Sequence, residues 1–427
     1  MLLGMGFPSR RFMRVFAVVA IAGALAAMAG IASQADRRLQ GSPVPEAAAP
    51  AGPDPSAIVP APSPAGSAQR REASGVGGGS RDQRGPASRH GERGRRSSGV
   101  RAGVYASITD PRLGRRVRHI PTRVYVPNNH SNTVDVIDPR TYRVVRSFTV
   151  GESPQHVTPS WNMRFLYVGD TYANELTVID PRRGRPIRTI SIPDPYNLYF
   201  TPDGSRAIDV AERLGTLFFY DPSSWKLQGS VHIPWSGPDH LDFSASGRYL
   251  LISTEFSGRV VRVDTKRMRV SGSVDVGGLP VDVKLSPDGD TFYVANQGRG
   301  GVSVIAAPRL REIDFIHTGA GAHGLCVSRD ARRLYVSNRL AGTISVVSFA
   351  TNKIVSTWNV GGSPDMLQTS ADGRELWVSN RFDATVTVVR TSTGRVTHTI
   401  PVGSSPHGLT LFPQPGRFSL GHNGVYR

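Results

Sequence analysis

The chain has 427 residues, a net charge of +18, 46 Gly, 32 Pro, 8% aromatic residues and a single cysteine. Cys326 alone excludes an intramolecular disulfide and a cysteine-ligated zinc or iron–sulfur cluster, and the Gly and Pro content points to many turns rather than helical packing. The charge is uneven: the segment before Val124 carries 19 Arg against 7 acids, so 124–427 holds only +6, which calls for no nucleic-acid partner.

Arg10, Arg11 and Arg14 precede an uncharged apolar run from Val15 to Ala32, the pattern of an export signal. Residues 1–35 are expected to be a signal peptide or a signal anchor. The basic N-terminal flank would stay cytoplasmic, so both outcomes place the rest of the chain outside the membrane. Membrane contact is expected only through this segment, if it is uncleaved. Residues 36–123 are then a Pro, Ala, Gly and Arg-rich linker and N-terminal extension, of which 36–100 holds too few large apolar residues to build a core.

From Val124 a repeat sets in. A proline recurs before an apolar strand at 154, 195, 238, 280, 364 and 406, and Ala322 fills the remaining slot, which gives a period of about 42 residues. Each unit carries four short strand signals: a first strand running into an Asp-Gly or Ser-Gly turn ("HLDFSASG", "VDVKLSPDG"), a second ("FYVAN", "LYVSN", "LWVSN"), a third ("NTVDVIDP") and an amphipathic fourth ("VVRSFTVG"). Four antiparallel strands per period make a blade, and blades bury both faces only in a closed ring. Residues 124–427 are therefore expected to form an all-β, seven-bladed β-propeller, a monomer. Its last inner strand, after Pro406, should pair with the second-strand signal at Val124. Phe418 lies one full period after Leu376 and so falls in second-strand phase, which leaves open whether 417–427 joins the closure.

The motifs "YVAN", "YVSN", "WVSN", "TVDVIDP" and "SPDG" resemble the YVTN-type β-propeller repeat family of exported bacterial and archaeal proteins. The resemblance implies the fold; because functions in that family are diverse, it implies no activity.

A propeller presents ligands at the mouth of its central channel. The inner-strand starts bring polar groups there: Gln155, His156, Asn197, Asp239, His240, Asp282, His323, Asp365 and His407. At the second-strand ends, "VAERLG" and "STEFSG" place Glu212 and Glu255 where sister repeats have Asn, with Arg213, Arg339 and Arg381 following in three blades. His156, His240, His323 and His407 recur at intervals of two periods, one in every second blade, and are candidate ligands of a divalent transition metal. Against convergence, two of them stand two residues after the blade's first position and two only one, and alternate strand residues point to opposite faces. The leading expectation is an exported propeller that binds a small molecule, peptide or envelope component at this mouth. The alternative is a metal-assisted lyase or oxidoreductase there, with Glu212, Glu255 and His240 as catalytic candidates.

Overall fold

The computed structural model describes residues 103–422 and 425–427. The expected export signal, and the linker as far as residue 102, lie outside the described residues. From Arg123 the chain forms seven four-stranded antiparallel sheets, the blades of a seven-bladed propeller. The inner strands of blades 1 to 6 are Pro154–Pro159, Pro195–Phe200, Pro238–Phe243, Pro280–Leu285, Ala322–Val327 and Pro364–Thr369. Thr410–Phe412 is the inner strand of blade 7.

Burial falls from the axis outward. The inner strand of blade 3 is buried throughout, whereas the outermost strand of blade 7, Arg143–Thr149, is almost wholly exposed. Apolar residues of the second and third strands, such as Val294, Val302, Val336 and Val346, are fully or almost fully buried between neighbouring blades. Each such side chain contributes roughly 1.5–3 kcal/mol when removed from water, which is what closes the ring.

Blade 7 is stitched from both ends of the repeat. Arg123–Asn128 pairs with Thr410–Phe412 in the register Arg123↔Phe412, Val124↔Leu411 and Tyr125↔Thr410, and a bridge joins Asn128 to Pro406. This pairing removes the open sheet edges that an unclosed ring would leave.

Two segments outside the repeat cover the base of the ring, the face where the inner strands end. Residues 103–122, assigned from sequence to the N-terminal extension, pack on it: Tyr105 is buried and donates a hydrogen bond to the Leu285 carbonyl at 2.8 Å, and Val117 and Ile120 are buried. Their apolar side chains, sparse but correctly spaced, suffice to dock them. The C-terminal segment does not compete with the closing strand. Phe418 stacks on Trp161, Phe200 donates its backbone N–H to Leu420 O at 2.9 Å, and Gly421 bridges Tyr199. Arg427 ends the segment in a buried ion pair with Asp242 at 3.1 Å.

Candidate functional site

The inner strands do not enter the channel as regular strands. Between the first and the third or fourth residue of each, the register slips in blades 1 to 6, for example between Pro238 and Leu241 and between Pro364 and Leu367. Such a slip breaks the two-residue alternation of side chains. It also resolves the parity conflict, because consecutive residues such as Asp239 and His240 both sit fully buried at the axis.

Serines of the second strands hold these bulges. Ser337 Oγ accepts from Gly324 N at 2.7 Å and donates to the Asp365 carbonyl at 2.5 Å, and Ser253 Oγ likewise joins His240 N to the Val281 carbonyl. The recurrent Ser-Asn of "YVSN" thereby has two local tasks. Its Asn faces outward: Asn338 and Asn380 donate to Thr343 and Ser345, and to Thr385 and Thr387.

The register corrects the position of the two glutamates. Pro195 pairs with Ala211 and Pro238 with Thr254, as Pro280 pairs with Asn296 and Pro364 with Asn380. Glu212 and Glu255 therefore stand one place beyond the asparagine position, in phase with Thr171, Gln297, Arg339 and Arg381, all equally far along the chain from the first residue of their blades. This ring lines the mouth. It is polarised, with carboxylates in blades 2 and 3 and guanidinium groups in blades 5 and 6. Arg213 is correspondingly one place out of phase with Arg339 and Arg381. It lies on the outer rim, bonded to Asp194 at 2.6 Å with its guanidinium 4.6 Å from the Tyr172 ring centre. In phase with Arg213, and so on the same outer rim of the mouth, Phe256, Leu340 and Phe382 stand more than half exposed, as does Tyr172.

The four predicted histidines divide into two groups. His323 and His407 flank Asp365. Nδ1 of His323 lies 2.9 Å and Nε2 of His407 3.6 Å from its carboxylate, and Arg339 donates to both Asp365 and His323 Nε2. Arg381 stands 3.8 Å away, and Gln155 Oε1 lies 3.0 Å from His407 Nδ1. Although burial opposes ionisation, Arg339, His323 and His407 hold the Asp365 carboxyl well below the usual carboxylate range. Burial, reinforced by Arg339, lowers His323; burial, with Arg381, drives His407 well below the ordinary histidine value.

His156 and His240 face each other in blades 1 and 3, ring centres 5.2 Å apart, and a third imidazole joins them that sequence reasoning did not identify: His422, at 3.9 Å and 4.7 Å. Two glycines make this assembly fit. A Cβ at Gly408 would collide with His156 Nδ1, and one at Gly421, whose φ is +112°, would collide with the Leu198 carbonyl. Burial, then the field of His240, drives His156 well below the ordinary histidine value, and burial with His156 does the same to His422. His240 is the exception: burial pulls it down, but Asp239, 2.6 Å away, and Asp282 outweigh that and raise it.

Above them, burial and then Asp239 push Glu255 up to about 7, and burial with Asp239 and Glu255 raises Glu212 well above the carboxylate range. Of the other predicted residues, Asn197 donates to the Asp239 carbonyl at 3.1 Å, and Asp282 is paired with buried Lys284 at 2.7 Å. Both brace the channel wall. A spacious surface cleft, about 990 Å³, lies on the base side between blades 6 and 7, among Arg140, Arg374, Glu375 and Trp377, away from this chemistry.

Comparison with known proteins gives the fold wide company. No curated protein matches the chain. Among solved structures, hydrazine synthase of Kuenenia stuttgartiensis aligns with a TM-score of 0.58 at 19% identity, over 65% of this chain and 94% of that one. A functionally unknown protein from Desulfotomaculum acetoxidans aligns at 0.60 and 17% over 68% and 99%. The dihydro-heme d1 dehydrogenase NirN, in complex with DHE, aligns at 0.55 and 15% over 70% and 77%. At these identities the likeness concerns the fold, and the neighbours differ in function. The family model that matches residues 117–416 is that of the YNCE-like beta-propellers, and the chain belongs to this family.

Proposed function

We propose that this protein is a binding propeller that captures, at its channel mouth, a small ligand with a cationic head and an apolar body. The carrying observation is the division of charge around the mouth. Arg339 and Arg381 lie against Asp365, whereas Glu212 and Glu255 stand close enough to Asp239 for its charge to add to burial in raising their proton affinity. The fields of Arg339 and Arg381 oppose this but leave both raised, and among the described residues neither glutamate forms an ion pair. A site that gathers carboxylates without matching cations favours a positive ligand. The exposed side chains of Phe256, Leu340 and Phe382 offer the apolar body a surface. The C-terminal segment docks on the base of the ring, so the ligand is expected to enter from the mouth.

The recurrent "YVSN" strands support a YVTN-type repeat within the wider family, and the Arg10 to Ala32 pattern supports export, which fractionation of a tagged full-length chain tests. For the ligand, the full-length protein is screened by thermal shift against alkylamines, quaternary ammonium ions and alkyl carboxylates of matched length. Stabilisation by the cations, lost in Glu255→Gln, is expected. Stabilisation by the carboxylates alone overturns the proposal.

A further inference from the structure

The mouth accounts for the carboxylates but not for the three imidazoles beneath them. We infer that His156, His240 and His422 form a site for one divalent transition-metal ion, with the C-terminal segment delivering the third ligand. The site is independent of the amine reading.

Three observations carry this. One ring nitrogen from each of the three side chains lies within 4.8 Å of the other two. A tetrahedral zinc ion with bonds of about 2.1 Å holds its donors about 3.4 Å apart, so small side-chain rotations complete the set. All three residues are at least nine-tenths buried, and none of their six ring nitrogens makes a well-aligned hydrogen bond. A neutral imidazole carries one N–H and one lone pair, and each group left unpaired in the interior costs about 1–3 kcal/mol. Three such rings gathered at one point are explained by a shared ion. Finally, Asp239 Oδ1 lies 2.6 Å from His240 Nδ1; the contact is poorly aligned for a hydrogen bond as it stands, but it puts a carboxylate where it can fix the ring and leave Nε2 for the metal.

The second group, His323, Asp365 and His407, has donors equally close together and also keeps one atom of each residue without a hydrogen bond, but its remaining atoms are engaged and guanidinium groups already stand on it. Arg339 occupies Asp365 and His323 Nε2, and Gln155 meets His407 Nδ1. A cation placed there would face Arg339 and Arg381. In the first group the nearby ammonium of Lys284 is neutralised by Asp282 at 2.7 Å. Three imidazoles suit zinc, cobalt, nickel or copper, and three protein ligands leave a fourth position for water or a small donor.

The test uses the full-length protein, stripped with a chelator, dialysed and titrated with Co(II) while the visible spectrum is followed, then challenged with Zn(II). One equivalent of Co(II) with intense tetrahedral-type bands, displaced by Zn(II), is expected. Since loss of an outer-shell contact alone costs about 10–100-fold, His422→Ala should weaken binding by at least about 100-fold. His407→Ala should keep one tight equivalent. If His422→Ala melts early, His422→Gln, which retains the volume, replaces it. Absence of a tight equivalent in the wild type, wild-type affinity in the His422 variants, or loss confined to His407→Ala would each overturn the inference. Glu255→Gln should retain Co(II) while losing amine binding, so failure of one proposal is distinguishable from failure of the other.

Discussion

The two sides of the channel each gather histidines around a buried Asp at the same repeat position, Asp239 on one and Asp365 on the other, to different ends. Around Asp365, His323, His407 and Arg339 of blades 5 to 7 and Gln155 of blade 1 are joined by direct contacts, and Arg339 and Arg381 both lean on the one carboxylate. Around Asp239, the ring nitrogens of His156 and His240, from blades 1 and 3, and of His422, from the C-terminal segment, make no well-aligned hydrogen bond, and two more carboxylates stand above. Residue type at the mouth therefore does not mark function. What separates the sides is how far the polar groups satisfy one another: on the paired side guanidinium groups meet Asp365 and only His323 Nδ1, Asp365 Oδ2 and His407 Nε2 lack a hydrogen bond, whereas on the unpaired side all six ring nitrogens lack one, and that side is built for something the chain does not itself provide.

The largest expected effect tests the paired side. Asp365→Ala removes the anion that Arg339 and Arg381 share in the interior, and breaking such a pair costs about 3–5 kcal/mol. Asp239→Asn removes a carboxylate crowded by its own kind and should change stability by about 1 kcal/mol or less. Chemical denaturation of both variants measures the contrast. Equal losses would erase the distinction between the two sides.

A smaller effect probes the unpaired side through packing. Gly408→Ala sets a methyl group against the His156 ring, and overpacking of this kind costs about 1–3 kcal/mol. Because the ring must turn aside, Co(II) affinity should fall together with stability. Gly403→Ala, which crowds Asn128 instead, should lower stability while Co(II) affinity stays intact. A Gly408→Ala variant that keeps full Co(II) affinity would show that the position of His156 is not set by this contact.

How much of the molecule is legible in its sequence depends on whether a residue belongs to the repeat. The seven blades, the closing pair and the ring of inner-strand starts follow from spacing, since equivalent positions must return to the same rim. Matching by residue type, Glu for Asn, sets the glutamates one place early; counting along each blade from its first residue puts them level with Arg339 and Arg381 and reveals the polarised ring. The convergence of His156 with His407, ring centres 4.4 Å apart, is hidden by the bulges, which cancel the alternation that strand periodicity assumes. His422 carries no signal of phase. It lies beyond the last blade, and only the docking of Leu420, Val425 and Tyr426 into the base brings it to the axis.

The smallest effect is a dependence on pH. Glu255 has its pKa raised to about 7 by burial and then by Asp239, above the ordinary glutamate value of 4.5 that the unfolded chain keeps. The folded protein therefore holds this proton more tightly than the unfolded chain. The contribution of the protonated group is complete below the unfolded value and is lost as pH rises toward 7, where the folded carboxyl ionises. Glu255→Gln keeps the side chain neutral, so its melting temperature should match the wild type at pH 4 and exceed it at pH 8 by about 2–4 °C, the shift that about 1 kcal/mol produces in a domain of roughly this size. Cation binding should move in the opposite sense, strengthening in the wild type between pH 6 and 8 as the carboxylate forms and staying weak and flat in Glu255→Gln. On the paired side, where Asp365 is already ionised at low pH, neither curve should change in this window. A wild-type binding curve flat across pH 7 would mean that Glu255 does not face the ligand.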